Sequence, residues 1–155
     1  MKIILASGSG VRKKILDKYK IESDVIVSNV DEDQVKEALL SENATPLIIS
    51  KNLAEIKSIK VSSKNPDRIV LGADSVISLN DKLINKPKSR KEALEILKEL
   101  NNSKHYLISS VCISKNGAMI WNHSDQSELK IKNFKEAELI EYLDRIKTET
   151  LLMYG

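Results

Sequence analysis

The chain has 155 residues, of which 41% are hydrophobic and 30% charged, a composition that excludes wholesale disorder and suits one globular domain. Its 25 Lys and Arg residues against 22 acidic ones give a net charge of +3, too small for a dedicated nucleic-acid-binding protein, so we expect no stable nucleic-acid complex. The single cysteine, Cys112, excludes an internal disulfide framework and all-cysteine zinc sites, and its apolar neighbours predict a buried position.

The first half of the chain predicts strands that alternate with helices. Its opening residues are apolar and β-branched, which is typical of a buried strand, and they lead through a Ser-Gly-Ser-Gly turn into an amphipathic helix. Thr45 and Pro46 are typical of a helix N-cap and of the first helical position. The predicted elements are a strand at 2–6, a helix at 11–20, a strand at 24–27, an acidic loop at 29–33, a brief helix at 35–40 and a helix from 46 to about 61.

The second half predicts two hairpins and two further helices. Asn80-Asp81 and Asn116-Gly117 are typical two-residue hairpin turns, and Ser89 with Glu92 fits a helix capping box. Strands alternating with helices indicate an α/β fold, and the hairpins indicate a central mixed sheet flanked by helices. The predicted elements are a strand at 68–74 that continues in extended form over 75–79, strands at 82–86, 105–114, 118–121 and 127–132, and helices at 90–100 and 135–147.

No apolar run is long enough for a signal-peptide core or a membrane span, so we expect a cytoplasmic protein that does not enter a membrane.

The turn after the first strand has features of an anion site. Small residues allow a ligand close to the backbone, and the helix N-terminus offers free N–H groups and a positive dipole end. Ser7 and Ser9 can donate further hydrogen bonds, and the forked guanidinium of Arg12 can bind phosphate. The Walker A and dinucleotide glycine patterns are absent. Because such turns are more often structural, both interpretations stay open at this point.

Two acidic positions could contribute to chemistry. Asp74 ends a strongly apolar strand, at the sheet edge where α/β proteins bind ligands. A carboxylate there needs a partner, a metal ion or water, because unpaired burial is costly; a capping role is the alternative. Residues 31–33 could bind Mg²⁺ through carboxylate oxygens, although a solvated acidic loop is the simpler interpretation. His105 and His123 lack metal-ligand spacing, and we predict structural or surface roles for both.

Several short motifs occur in a fixed order over roughly residues 3–110. They are Leu5-Ala-Ser-Gly-Ser9 with Arg12, Val30-Asp-Glu32, Leu53-Ala-x-x-Lys57, Val70-Leu-Gly-Ala-Asp74, Lys86-Pro87 and the segment from Leu100 to His105. Together they resemble the motifs of the Maf family of nucleotide pyrophosphatases.

The resemblance implies an α/β fold with two lobes around a cleft, and hydrolysis of a nucleoside triphosphate to the monophosphate and pyrophosphate. It implies a divalent metal, Mg²⁺ or Mn²⁺, held by Glu32 and Asp74. Asp74 is the implied catalytic residue, as general base or as metal ligand, and a homodimer is the implied assembly. The implied phosphate-binding residues are Ser7, Ser9, Arg12, Lys57 and Lys86, and the implied base-specificity residues are Arg12 and Ser75.

The chain departs from the family pattern at informative positions. Gly10 and Val11 replace a usual Pro-Arg, and we expect Lys13 to replace the missing basic residue. Ser75 stands where pyrimidine-type members (dTTP or UTP) have Thr and 7-methyl-GTP-type members have Gln, so the base preference stays open. The family normally continues with a segment that helps form the nucleotide pocket, so we expect residues 1–155 to be one shortened domain.

Two alternatives to a pyrophosphatase remain open. The altered phosphate loop and the shortened end are compatible with a non-catalytic nucleotide-binding regulator, or with an inactive fragment of a longer enzyme. A regulator would bind nucleotide without turnover, and binding of nucleic acid would depend steeply on salt.

Overall fold

The computed structural model of the chain describes residues 1–145. Among these residues, no helix is long and apolar enough to cross a membrane. The helices are α1 (Gly10–Lys18), α2 (Glu32–Ser41), α3 (Pro46–Ser62), α4 (Arg90–Leu100) and α5 (Glu136–Arg145). The strands are β1 (Ile3–Leu5), β2 (Ser23–Val25), β3 (Val70–Leu79), β4 (Lys82–Ile84), β5 (Lys104–Lys115) and β6 (Ala118–Lys130).

The strands form one mixed sheet in the order β2-β1-β3-β5-β6, with β4 paired to β3. Strand β1 runs parallel to both β2 and β3, whereas β3 is antiparallel to β4 and β5, and β5 is antiparallel to β6. The predicted α/β fold with a central mixed sheet and flanking helices is therefore confirmed.

Both predicted hairpin turns are confirmed. Asn80 and Asp81 have φ angles of 50° and 61°, and Asn116 and Gly117 have φ angles of 51° and 78°. A type I′ turn needs positive φ at both central residues, which Asn, Asp and Gly adopt more readily than other residues. The first of these turns directs the chain from β3 back along β4 toward Lys86.

Helix α3 packs across the centre of the sheet. Its buried Ile49 and Leu53 contact Val76, Leu83 and Ile108, which are all buried on the sheet side. Complete burial of each such side chain stabilises the fold by about 1.5–3 kcal/mol. The helix begins at the predicted position. The Oγ1 of its N-cap, Thr45, accepts a hydrogen bond from the backbone N–H of Ile48 at 3.3 Å.

Gly72 lets α3 approach β3 unusually closely. A Cβ at this position would lie 2.3 Å from the carbonyl oxygen of Ala54 and 2.7 Å from the Cβ of Ser58. Because only glycine avoids this overlap, the turn of α3 that carries Lys57 lies directly against the segment of β3 that carries Asp74. Cys112, opposite Gly72 in the sheet, is 1% exposed, which confirms its predicted burial.

Strand β6 corrects one prediction. We predicted separate strands at 118–121 and 127–132, but β6 is a single strand paired with β5 from Ala118 to Lys130. Its residues are almost all exposed, so apolar and polar positions do not alternate and the sequence gives no strand signal in the middle. Pairing with the long β5 determines its length.

Helix α2 corrects a second prediction. Glu32 and Asp33 lie in its first turn, whereas we placed them in a loop before a helix at 35–40. Asp31 is the N-cap, and its carboxylate accepts a hydrogen bond from the backbone N–H of Gln34 at 3.1 Å. Acidic residues in a first turn stabilise a helix through its dipole, so this arrangement extends α2 toward the N-terminus.

The last two helices agree with the prediction in part. At the start of α4, the Oγ of Ser89 accepts a hydrogen bond from the backbone N–H of Glu92 at 3.1 Å. The Glu92 carboxylate accepts its bond from the backbone N–H of Lys88 at 2.7 Å, one residue earlier than in a capping box. Helix α5 is observed to Arg145, and residues 146–147 of the predicted helix lie outside the described residues.

Candidate active site

The turn between β1 and α1 holds Ser7, Ser9 and Arg12 together. Ser9 is the N-cap of α1, and its Oγ accepts a hydrogen bond from the backbone N–H of Arg12 at 3.5 Å. The Oγ of Ser7 accepts hydrogen bonds from the backbone N–H of Ser9 at 3.2 Å and from Nη1 of Arg12 at 2.9 Å. The predicted anion-binding groups are therefore adjacent, with the Arg12 guanidinium held at the start of the helix.

A groove of about 580 Å³ opens at this turn. Ser7 and Ser9 line it on the side of α1, and Glu32 and Lys57 line it on the side of α2 and α3. The groove thus has hydroxyl groups, helix N–H groups and an ammonium, which are the groups that bind phosphate in proteins.

Lys14, rather than Lys13, is the additional basic residue at this groove. The Nζ of Lys13 contacts Oδ1 of Asp17 at 2.7 Å and Oγ of Ser23 at 3.1 Å, so the expectation that it replaces the missing basic residue is wrong. Lys14 follows Gly10 by four positions, which puts both residues on one face of α1. That helical spacing was the signal in the sequence that could have identified Lys14.

Lys57, in the wall of the groove, contacts two carboxylates; one of them, Asp74, lies inside β3 and not at its carboxyl end as predicted, because pairing with β5 continues the strand to Leu79. Its Nζ lies 3.0 Å from Oδ1 of Asp74, and it also forms an ion pair with Glu32. The Lys57 and Asp74 side chains are 7% and 2% exposed, so this pair is held away from bulk water. Oδ2 of Asp74 is buried and has no hydrogen-bond partner among the described residues.

The two carboxylates differ in proton affinity. Burial raises the pKa of Asp74, and the charge and hydrogen bond of Lys57 offset this only in part. Burial also raises the pKa of Glu32, but Lys57, Lys86 and Lys36 outweigh it and bring that pKa below its ordinary value. Carboxyl groups whose pKa values are driven apart in this way suit different roles, with the more basic one suited to accept a proton.

Arg12 connects the groove to the residue that follows Asp74. Its Nη2 donates a hydrogen bond to Oγ of Ser75 at 3.4 Å, and that hydroxyl lies 3.0 Å from Oγ of Ser109. Burial lowers the pKa of Arg12, whereas the carboxylates of Asp74 and Glu32 raise it. Arg12 remains charged, since guanidinium groups do not lose their proton in proteins.

Lys86 lies beside Glu32 in an adjoining opening of about 500 Å³. Burial lowers the pKa of the Lys86 ammonium, and the charge of Glu32 opposes that effect. Lys36 lines the same opening and was missed in the sequence analysis. It follows Glu32 by four positions on α2, a spacing that places both on one helix face once the helix is known to begin at Glu32.

Glu32 and Asp74 could bind a divalent ion only if a bound ligand supplied further oxygen atoms to it. Within residues 1–145, no group of three or more His, Cys, Asp or Glu side chains is arranged to hold a metal. Mg²⁺ in proteins typically takes one or two carboxylates together with substrate phosphates and water. Glu32, which is partly exposed, and the unpartnered Oδ2 of Asp74 are donors of this kind.

The chain matches one protein-family model and is similar in sequence to named bacterial enzymes. The family model described as Maf-like protein matches residues 2–151. The chain is 58% identical over 153 residues to a nucleoside triphosphate pyrophosphatase of Pelagibacter ubique (strain HTCC1062), covering 99% of this chain and 78% of that protein. It is 31% identical over 155 residues to a 7-methyl-GTP pyrophosphatase of Brucella abortus biovar 1, covering 100% of this chain and 78% of that protein.

One solved structure supports the fold. A HAM1 protein from Coxiella burnetii aligns with a TM-score of 0.52 at 17% sequence identity, over 83% of this chain and 71% of that chain. At this identity the likeness concerns the arrangement of strands and helices, in agreement with the mixed sheet described above.

Proposed function

The chain belongs to the Maf-like protein family, and from this premise we propose that it hydrolyses nucleoside triphosphates to the monophosphate and pyrophosphate. The observation that carries the proposal is the buried Lys57 that contacts both Asp74 and Glu32 beside an anion-binding groove. Its relatives include a protein of 58% identity that is named for this reaction.

The substrate phosphates bind at the start of α1. The free N–H groups of the helix and the hydroxyls of Ser7 and Ser9 donate to phosphate oxygens, as such groups do at other helix N-termini. Arg12, whose Nη1 donates to Ser7 in this structure, turns to a phosphate oxygen when one is present. Ligand binding thereby exchanges one hydrogen bond for a stronger, charge-assisted one.

Asp74 acts as the general base. Its Oδ1 is held by Lys57, and the unpartnered Oδ2 accepts a proton from the water that attacks the α-phosphorus. As the new P–O bond forms, the bond from the α-phosphorus to its bridging oxygen breaks, and the electron pair leaves with pyrophosphate. Lys57 and Lys86 stabilise the negative charge that develops on the leaving group.

Glu32 would hold a Mg²⁺ or Mn²⁺ ion together with the substrate phosphates, and Asp74 would be a second ligand of the ion in place of its role as general base. The ion would supply positive charge to the phosphate oxygens. The base-selecting role of Ser75, a cytoplasmic location and a homodimer stay predictions from the family resemblance.

A panel of triphosphates tests the function. Pyrophosphate release from UTP, dTTP, 7-methyl-GTP and the common nucleotides is measured with Mg²⁺ or Mn²⁺, and with the ion removed by a chelator. We expect release from at least one nucleotide, and its loss with the chelator. Tight nucleotide binding without release from any of them would contradict the proposal and favour a non-catalytic regulator.

A further inference from the structure

Lys36 is a half-buried cation that has no role in the reaction as described so far. It lies on α2, one helical turn after Glu32, and it lines the opening of about 500 Å³ together with Lys86. Neither of these two lysines takes part in an ion pair with a carboxylate of another described residue. Both ammonium groups are therefore available to an anionic ligand.

The charged side chains inside the site carry more positive than negative charge. Four cations against two carboxylates leave two positive charges in a place that salt and water screen poorly. Burial lowers the pKa of Lys86, the charge of Glu32 opposes this effect, and the like charge of Lys36 lowers that pKa further. The buried and half-buried cations are Arg12, Lys36, Lys57 and Lys86, and the carboxylates among them are Glu32 and Asp74.

Two further carboxylates at the opening do not cancel this excess. Asp33 and Glu37 line the same opening, but both side chains are exposed. Because water and salt screen exposed charges, their attraction for the ammonium groups inside is small. The net positive charge of the interior thus favours a ligand with several negative charges.

The position of Lys36 fits the far end of a phosphate chain. Glu32 lines both the groove at the start of α1 and the opening that contains Lys36, so the two cavities meet at this side chain. Lys57 lines the groove, whereas Lys36 and Lys86 line the opening. A phosphate chain that passes from Lys57 along Glu32 into the opening therefore ends near Lys36.

We propose that Lys36 is a specificity-determining residue that binds the terminal phosphate of the substrate, so that the site binds a triphosphate in preference to the corresponding diphosphate. The proposal rests on the proposed function, because the leaving pyrophosphate lies toward Lys57 and Lys86 in that reaction. A hydrogen bond from an ammonium to a phosphate oxygen is charge-assisted and strong. A diphosphate lacks the group that reaches Lys36 and does not make this bond.

The test measures the binding of nucleotides that differ by one phosphate. Calorimetry gives the dissociation constants of UTP and UDP, and of GTP and GDP, with divalent ions removed by a chelator to prevent turnover. We expect the wild type to bind a triphosphate more tightly than its diphosphate. Lys36→Met should weaken triphosphate binding about tenfold and leave diphosphate binding unchanged, because one charge-assisted hydrogen bond is lost. Lys36→Arg, which keeps the charge, should retain the preference.

Lys88→Met is the matched control, since Lys88 lines the same opening but is exposed at its rim. It should leave all the dissociation constants unchanged. Equal binding of triphosphate and diphosphate by the wild type would overturn the proposal. Equal weakening of both ligands in Lys36→Met would also overturn it, as would the same loss of triphosphate binding in Lys88→Met.

The outcome for Lys36 is separate from the outcome for the reaction. A triphosphate preference that Lys36→Met abolishes, in a protein that releases pyrophosphate from no nucleotide, would remove the proposed function and leave the assignment of Lys36 standing. Pyrophosphate release by the wild type, together with an unchanged preference in Lys36→Met, would keep the proposed function and overturn the assignment.

Discussion

The Nζ of Lys57 lies 3.0 Å from Oδ1 of Asp74, next to the close approach of α3 and β3 at Gly72. The pair is buried, and Lys57 reaches the partly exposed Glu32 with the same ammonium group. One lysine thus holds one carboxylate beneath the groove and another at its edge. Single substitutions around this pair should therefore change activity and stability in different ways.

Replacing Lys57 removes the charge that the two carboxylates share. Lys57→Met should lower kcat for pyrophosphate release by about 10²–10³, the usual cost of removing one preorganised electrostatic stabiliser. It should also lower the melting temperature, because it leaves the buried Asp74 carboxylate unpaired. Lys51→Met, on an exposed position of the same helix, is the control and should change neither quantity. Unchanged kcat in Lys57→Met would refute the role assigned to this lysine.

Gly72 should tolerate no side chain. Gly72→Ala places a Cβ 2.3 Å from the Ala54 carbonyl oxygen, so α3 must move away from β3. We expect a loss of about 1–3 kcal/mol in the free energy of unfolding, measured by urea denaturation, and a fall in activity as Lys57 separates from Asp74. Gly10→Ala, where a Cβ meets nothing within 4 Å, should leave the unfolding free energy essentially unchanged. Equal stability of both variants would contradict the packing described here.

The raised pKa of Asp74 gives stability a defined dependence on pH. Burial favours the protonated form of the Asp74 carboxyl in the folded state. The stability that this raised pKa contributes is fully present below the unfolded-state pKa, about 3.9. It is lost as the pH rises through the folded-state pKa of Asp74. Asp74→Asn has no such group. Its melting temperature should exceed that of the wild type at pH 7, and the difference should shrink as the pH falls toward 4. A difference that grows in acid would show that the pKa is lowered.

Arg12 should not be replaceable by lysine. Arg12→Lys keeps the charge but removes the fork that reaches Ser7 and Ser75 at the same time. We expect KM for the triphosphate to rise about tenfold or more, since charge-assisted hydrogen bonds are lost, with a smaller change in kcat. Arg68→Lys, in an exposed ion pair with Asp24, serves as the comparison and should leave KM unchanged. A wild-type KM in Arg12→Lys would count against direct phosphate binding.

Much of the fold follows from local sequence signals. The cap at Thr45-Pro46 and the two turns with positive φ are determined by a few adjacent residues, and the structure has them where we expected. The middle of β6 carried no such signal, because an exposed edge strand has no buried face to impose alternation. Its pairing with β5 depends on residues elsewhere in the chain.

The candidate site was accessible from the sequence only through the ordered motifs. Nothing local distinguishes Lys57 from the many other lysines, and its contact with Asp74 joins positions 17 residues apart. That contact depends on the close approach allowed by Gly72, which is a property of packing between a helix and a strand. Lys14 and Lys36 acquire their significance only from the cavities that they line.

The most direct test of the account is pyrophosphate release by Asp74→Asn. The substitution keeps the shape of the side chain and removes its ability to accept a proton at Oδ2, so kcat should fall by about 10²–10⁴ while circular dichroism and nucleotide binding stay as in the wild type. Asp81→Asn, in the exposed β3–β4 turn, should release pyrophosphate at the wild-type rate. Full activity of Asp74→Asn would contradict the account.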